Sequence, residues 1–167
     1  MSTYDIFNGD ADGLFALRQL RLDQPCDAVL VTGVKRDITL VERAQASAGD
    51  TFTVLDISLH ENRPALLAAL AAGVRCTYFD HHFPGDIPEH PLLEAHIEYR
   101  PDTCTSLIVD AHLNGRHRAW ALAAAFGDNL RDVAVHLGRA SGYSIAQLEA
   151  LEELGRLVNY NAYGATI

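Results

Sequence analysis

Three short apolar runs in this chain each end in side chains that can bind a cation. Residues 74–79 lead into Asp80-His81-His82, Tyr4-Asp5-Ile6-Phe7 leads into Asn8-Gly9-Asp10-Ala11-Asp12-Gly13, and Phe52-Thr53-Val54-Leu55 ends in Asp56. Runs of this length read as buried strands, and open α/β sheets collect ligand sites at the carboxyl ends of their strands. A sheet that hands acids and imidazoles to one rim is therefore the first expectation.

Between these runs the pattern turns helical. Strands are expected over 4–7, 28–31, 52–57, 74–79 and 95–99, with helices over 14–22, 38–48 and 61–72 between the first four. Asp12 is the expected cap of the first helix, Gly49 and Gly73 stop the next two, and Pro64 falls in the first turn of the third. Residues 83–91 are rich in Pro and Gly and read as a loop. From Thr105 onward the pattern is helical, over 105–113, 119–126, 130–140 and 144–160. This order predicts an α/β fold: a doubly wound five-stranded parallel sheet, helices on both faces and a helical C-terminal portion, as one domain over 1–167.

Composition narrows the function. Hydrophobic residues make up 49% and charged residues 21%, which suits a folded core. The 22 acids against 13 Lys and Arg leave a formal charge of −9, a poor surface for non-specific binding of long nucleic acid. Acids gathered around divalent cations would offset part of that charge and favour a small anionic substrate. Cys26, Cys76 and Cys104 form no C-x-x-C pair, so neither a zinc ribbon nor a redox dithiol is indicated, and Cys76 reads as a core residue. A reducing cytoplasm is the expected compartment. No signal peptide is visible, and the apolar stretch 66–72 is too short to span a bilayer.

Asp10, Asp12, Asp56 and His81 are hard oxygen and imidazole donors without a thiolate, a set suited to manganese or magnesium. Two acids in one tight loop and a third on a neighbouring strand could share two ions through a bridging carboxylate, and such a pair can bind a phosphate between them. Asp128, where an apolar helix ends at Gly127, is the candidate for a further acid. Taken singly, Asp56 fits a turn residue and the paired histidines fit a surface loop. The opening of an EF-hand loop is also matched, but its twelfth position is Gln19, and a strand precedes it where a helix should be.

The ordered set Asn8-x-Asp10-x-Asp12-Gly13, Asp56, Asp80-His81-His82 and Gly127-Asp128 resembles the four motifs of the DHH phosphoesterase superfamily. That group includes RecJ-type exonucleases, nano-RNases, cyclic dinucleotide phosphodiesterases and manganese pyrophosphatases. The resemblance implies a manganese-dependent hydrolase with two ions, magnesium being the alternative. Asp10 would ligate the first ion and Asp12 the second, Asp56 would bridge them, and His81 with Asp128 would complete the second site. It implies that His82 meets the substrate phosphate, that Asp80 orients an imidazole, and that a metal-activated hydroxide attacks phosphorus.

Two departures accompany the resemblance. Asn8 stands where RecJ-type members have Asp, and Ile6 stands where pyrophosphatases have a His ligand, which disfavours pyrophosphatase activity and weakens the first ion's donor set. The superfamily's second domain, with a Gly-Gly-x-His motif, has no counterpart here, and the chain closes on Asn159-Tyr160-Asn161-Ala162-Tyr163-Gly164-Ala165-Thr166-Ile167 without a polar tail. The chain reads as a fragment, with a C-terminal domain of the same protein as an expected partner, or else as a stand-alone catalytic half. The other expected partners are a small phosphorylated substrate or short oligonucleotide and, through apolar surface near 151–158, a second copy of the chain. Lys35 and Arg36 are candidate phosphate contacts, and they also fit a solvated loop. Thr105 and Ser106 could offer helix N-terminal amides to an anion or simply cap their helix. Trp120 and Tyr99 are expected to pack, and the remaining histidines to serve as surface or core residues. A catalytically idle domain that binds metal or nucleotide is the alternative function.

Overall fold

The computed structural model describes residues 1–164; the last three residues of the C-terminal segment singled out above lie outside the described residues. Five strands form one all-parallel sheet: β1 (Thr3–Asn8), β2 (Val29–Gly33), β3 (Thr51–Leu55), β4 (Arg75–Asp80) and β5 (Leu93–Ile97), in the spatial order β2-β1-β3-β4-β5. The strand order reverses between β1 and β3. In doubly wound sheets that reversal opens the ligand crevice at the strands' carboxyl ends. The loop bearing Asp10 follows β1, and Asp56 follows β3.

Side-chain alternation divides the strands between two layers. Ile6, Val54 and Tyr78 are in register across β1, β3 and β4 and face one side; Phe7, Leu55 and Phe79 face the other, and all six are buried. Each such side chain contributes about 2 kcal/mol of burial. On the first face lies α2 (Leu59–Ala71), with Leu59, Leu66 and Leu70 closing the core. The second face is covered by α1 (Ala11–Asp23) and α3 (Thr105–His112), through Ala16, Ile108 and Val109. A third layer, α4 (Arg118–Gly127), α5 (Arg131–Ala140) and α6 (Ile145–Asn161), packs on α1 around a core of its own.

The helix expected over 38–48 is absent. That crossover carries a single 3-10 turn, Val41–Arg43, pinned to α2 by one side chain. Asn62 accepts from the Val41 amide at 3.1 Å and donates to the Ile38 carbonyl at 2.7 Å. With those backbone groups satisfied and Leu40 and Val41 buried, the segment needs no helix to cover its face. Two smaller corrections follow. The cap of α1 is Asp10, not Asp12, and the helix starts three residues before the expected 14. Pro64 sits beyond the first turn, since α2 begins at Leu59.

Small residues let the third layer close. Ala121, Leu122, Ala123, Ala124 and Ala125 of α4 are fully buried between α1 and α6. A Cβ on Gly155 would lie 2.0 Å from the Ala123 carbonyl oxygen, and one on Gly127 would lie 2.7 Å from Ala11 Cβ. The apolar surface expected near 151–158 is mostly used internally: Leu151, Leu154 and Val158 pack on this core. Leu157, Tyr160 and Tyr163 remain exposed. No helix among the described residues is long and apolar enough to cross a membrane.

Gly155→Ala should therefore force α6 away from α4. Urea denaturation is expected to show a loss of about 2–3 kcal/mol, as for other overpacked interiors; an unchanged midpoint would mean that the helices do not approach so closely.

Candidate metal centre

The rim is assembled by two helix starts as much as by the strands. Asp10 Oδ1 accepts from the amides of Asp12 and Gly13 at 3.0 and 3.2 Å, the usual bond of an N-cap. Gly13 is required there, because a Cβ would fall 2.1 Å from the Asn8 carbonyl oxygen. Asp12, in the first turn of α1, reaches across to α3, where its two oxygens accept from the Thr105 and Ser106 amides, each at 2.7 Å. Ser106 Oγ returns a bond to the Asp12 carbonyl at 2.8 Å. The N-terminus of α3 thus serves an anion from within the chain.

Asp56 follows β3 in the left-handed backbone region, at φ 58°, with its amide bonded to the Phe79 carbonyl. That conformation is rare outside glycine, and Asp tolerates it better than most residues. Thr105 Oγ1 donates to Asp56 Oδ1 at 3.0 Å, so α3 holds two of the rim's acids. Asp128 arrives from the third layer at the end of α4, where Asn129, at φ 60°, turns the chain.

These acids meet at His81. Its Nε2 lies 3.5 Å from Asp56 Oδ1 and 3.8 Å from both Asp12 Oδ2 and Asp128 Oδ2. Beside it His82 Nδ1 bonds Asp80 Oδ1 at 2.7 Å, while Asp80 Oδ2, fully buried, has no partner among the described residues. Asp10 stands to one side, with Lys35 Nζ at 2.7 Å from its Oδ2 and 3.8 Å from Asp128 Oδ1. The structure therefore gathers Asp10, Asp12, Asp56, His81, Asp128, Lys35 and the Asp80–His82 couple around one cleft. Arg36 is left out; it is exposed and pairs with no acid among the described residues.

No family model matches the sequence, and no curated protein matches it. Solved structures do. The chain superposes on exonuclease RecJ bound to manganese with a TM-score of 0.59 and 18% identity over 96% of its own length. The fold is that of this RecJ structure. A second RecJ structure, in complex with Mn2+ and from Thermus thermophilus, matches over 94% of this chain with a TM-score of 0.50 and 17% identity. The chain spans 53% of the first structure and 32% of the second.

The rim has the electrostatics of a cation site. Burial, then repulsion from Asp12, Asp10 and Asp80, pushes the Asp56 carboxyl well above the usual carboxylate range. Burial and Asp12 likewise raise Asp128. For Asp10 burial opposes ionisation, but the hydrogen bond and charge of Lys35 outweigh it and hold the carboxyl low. The bond to Asp80 raises His82, keeping its imidazole charged to higher pH. A single proton on His81 Nε2 cannot serve three carboxylates, whereas a divalent cation with hard donors can. The residues present fit such a cation in threes: Asp12, His81 and Asp128 bring ligand atoms within 4.8 Å of one another, and so do Asp56, His81 and His82.

The cleft, ≈ 480 Å³, also takes residues that sequence reasoning passes over. His60 lines it from the first turn of α2, its ring 5.7 Å from Phe83, itself 5.8 Å from Tyr99. Tyr99 is exposed, not packed as expected, while Trp120 packs against Phe15 at 5.4 Å. No periodic pattern marks His60 or Phe83; the proline-rich loop after Asp80-His81-His82 is the available signal.

An acid that binds its proton more tightly when folded favours the fold while protonated, and that benefit is lost as pH rises through its folded pKa. The metal-free protein should therefore lose the Asp56 contribution as pH rises above about 4, the unfolded value. Asp56→Asn keeps the Thr105 bond and the left-handed turn without the charge. Its urea midpoint should match the wild type near pH 4 and exceed it increasingly toward pH 8; parallel pH curves would contradict this.

Proposed function

We propose that this domain is a divalent-metal-dependent phosphoesterase acting on a phosphodiester or small phosphorylated nucleotide, short oligonucleotides included. Its support is the set of carboxylates from three elements within 3.8 Å of His81 Nε2, flanked by a carboxylate-held His82 in the same cleft. Asp12, Asp56, His81 and Asp128 would hold the cation, with Asp10 at its margin. Manganese suits the oxygen and imidazole donors, with magnesium as the alternative. A cation there supplies positive charge to the phosphoryl oxygens and acidifies a water.

The chain's own groups do the rest. The amides of Thr105 and Ser106 hold the Asp12 carboxylate in place, so the donor set is organised before substrate arrives. His82, whose imidazole Asp80 keeps charged to higher pH, would donate a hydrogen bond to a phosphoryl oxygen as charge builds, or a proton to the leaving oxygen. Asp80 acts only through His82, as a positioning residue. Lys35 is near enough to the cleft to meet a phosphate. Clamping of substrate and exclusion of water would fall to a second domain, a proposal consistent with the 53% and 32% of the RecJ structures that this chain spans. With its three cysteines free, we assign the domain to a reducing cytoplasm.

A second reading is a catalytically idle domain that binds metal or nucleotide for regulation or assembly; the ion pair between Lys35 and Asp10 favours it. Turnover separates the two. With manganese and a chromogenic phosphodiester or short single-stranded oligonucleotide, the wild type should hydrolyse substrate and His82→Ala should be about 10²–10⁴-fold slower. Equal background rates in both would leave only the idle domain. In either case manganese at a hundred times its Kd should stabilise the fold by about 2.7 kcal/mol, and Asp56→Asn should lose most of that shift. No thermal shift with manganese would remove the metal centre itself.

A further inference from the structure

We propose that the Lys35 ammonium is a permanent cation of the centre, filling the side of the rim bounded by Asp10 and Asp128, so that the domain takes up one divalent ion and not two. The inference rests on the metal-site reading above and concerns how many ions that site accepts.

The rim divides into two unequal halves. One contains His81 with Asp12, Asp56 and Asp128 Oδ2. The other contains Asp10 and Asp128 Oδ1, and the positive group between them is Lys35 Nζ, at 2.7 and 3.8 Å. Both oxygens of Asp10 are committed: Oδ1 to the amides of Asp12 and Gly13, Oδ2 to the ammonium. Among the described residues no imidazole nitrogen lies within 4 Å of the Asp10 carboxylate. An ion on that side would have to displace Lys35 and would find no imidazole to replace it.

Lys35 is held in place by its backbone. Its amide donates to the Ala162 carbonyl at the end of α6, 3.2 Å away, and its carbonyl accepts from Asn8 Nδ2 at 3.3 Å. The same Asn8 accepts from the Asp10 amide through Oδ1 at 3.2 Å. An amide side chain can do both at once; a carboxylate has no donor for the Lys35 carbonyl. The Tyr163 ring stands 5.9 Å from the ammonium. A second dication on that side would also be repelled by the ammonium already there.

Manganese titration of the metal-stripped chain, read by calorimetry and by the electron paramagnetic resonance signal of unbound Mn2+, tests this without any activity measurement. The wild type should bind one ion per chain, Lys35→Arg one, and Lys35→Ala two. Asp10→Asn preserves the helix cap and should hold its one ion within about threefold of the wild-type affinity, whereas removing a true ligand would cost roughly ten- to hundredfold. Two ions in the wild type, a single ion in folded Lys35→Ala, or a large affinity loss in Asp10→Asn would each overturn the proposal while leaving the metal centre standing. No ion in the wild type would remove the metal reading and the proposal with it.

Discussion

Buried carboxylates repel, and this fold brings four of them to a single rim. What makes that tolerable is backbone amide. Two helices, α1 and α3, point their amino ends at the rim, and their free N–H groups are taken by Asp10 and Asp12. The partial positive charge of a helix start stabilises an anion there, most of all through bonds that desolvation strengthens. Without the Thr105 and Ser106 amides, Asp12 would be a buried charge with no partner, and the junction between the sheet layer and the helical layer would lose its central link.

That link also sets the geometry of everything around it. Thr105 touches Asp12 by its amide and Asp56 by its hydroxyl, so one residue spaces the acid of α1 from the acid that follows β3. Asp128 belongs to neither layer of the sheet. It reaches the rim because α4, lined with alanine and closed by Gly127, lies flat against α1, and because the chain turns sharply at Asn129. The tight packing of small residues between α4, α1 and α6 thus decides how near the last carboxylate comes. His81 and His82, adjacent in sequence, are separated in role by their partners: one faces three acids, the other is tied to Asp80.

Much of this is legible in the residues. Apolar runs of strand length that end abruptly in Asp or His announce a parallel sheet with a polar rim, since only burial on both faces explains the run and only an open edge explains its ending. The acids at 10, 12, 56 and 128 stand out for the same reason. Over 38–48 the apolar spacing misleads, because it reports burial and cannot tell a helix from a segment whose backbone is bonded by Asn62. Lys35 reads as a phosphate contact, and nothing local shows that Asp10 lies within 2.7 Å of it, 25 residues away. Thr105 and Ser106 have the form of an anion site, and the anion is Asp12, more than ninety residues earlier.

By itself the sequence determined the five strands, every helix but the one expected over 38–48, and which elements end in ligating side chains, because periodicity and chain breakers are local properties. Only the tertiary structure decided which ligands share a neighbour. Pairing distances depend on strand order, on how closely helices approach and on backbone turns such as those at Asp56 and Asn129, and none of these is encoded within a single window of residues. The division of the rim into an imidazole side and an ammonium side is of that second kind: it exists because the ends of β1, β2 and α6 meet beside Asn8, and it has no trace in the order of the residues.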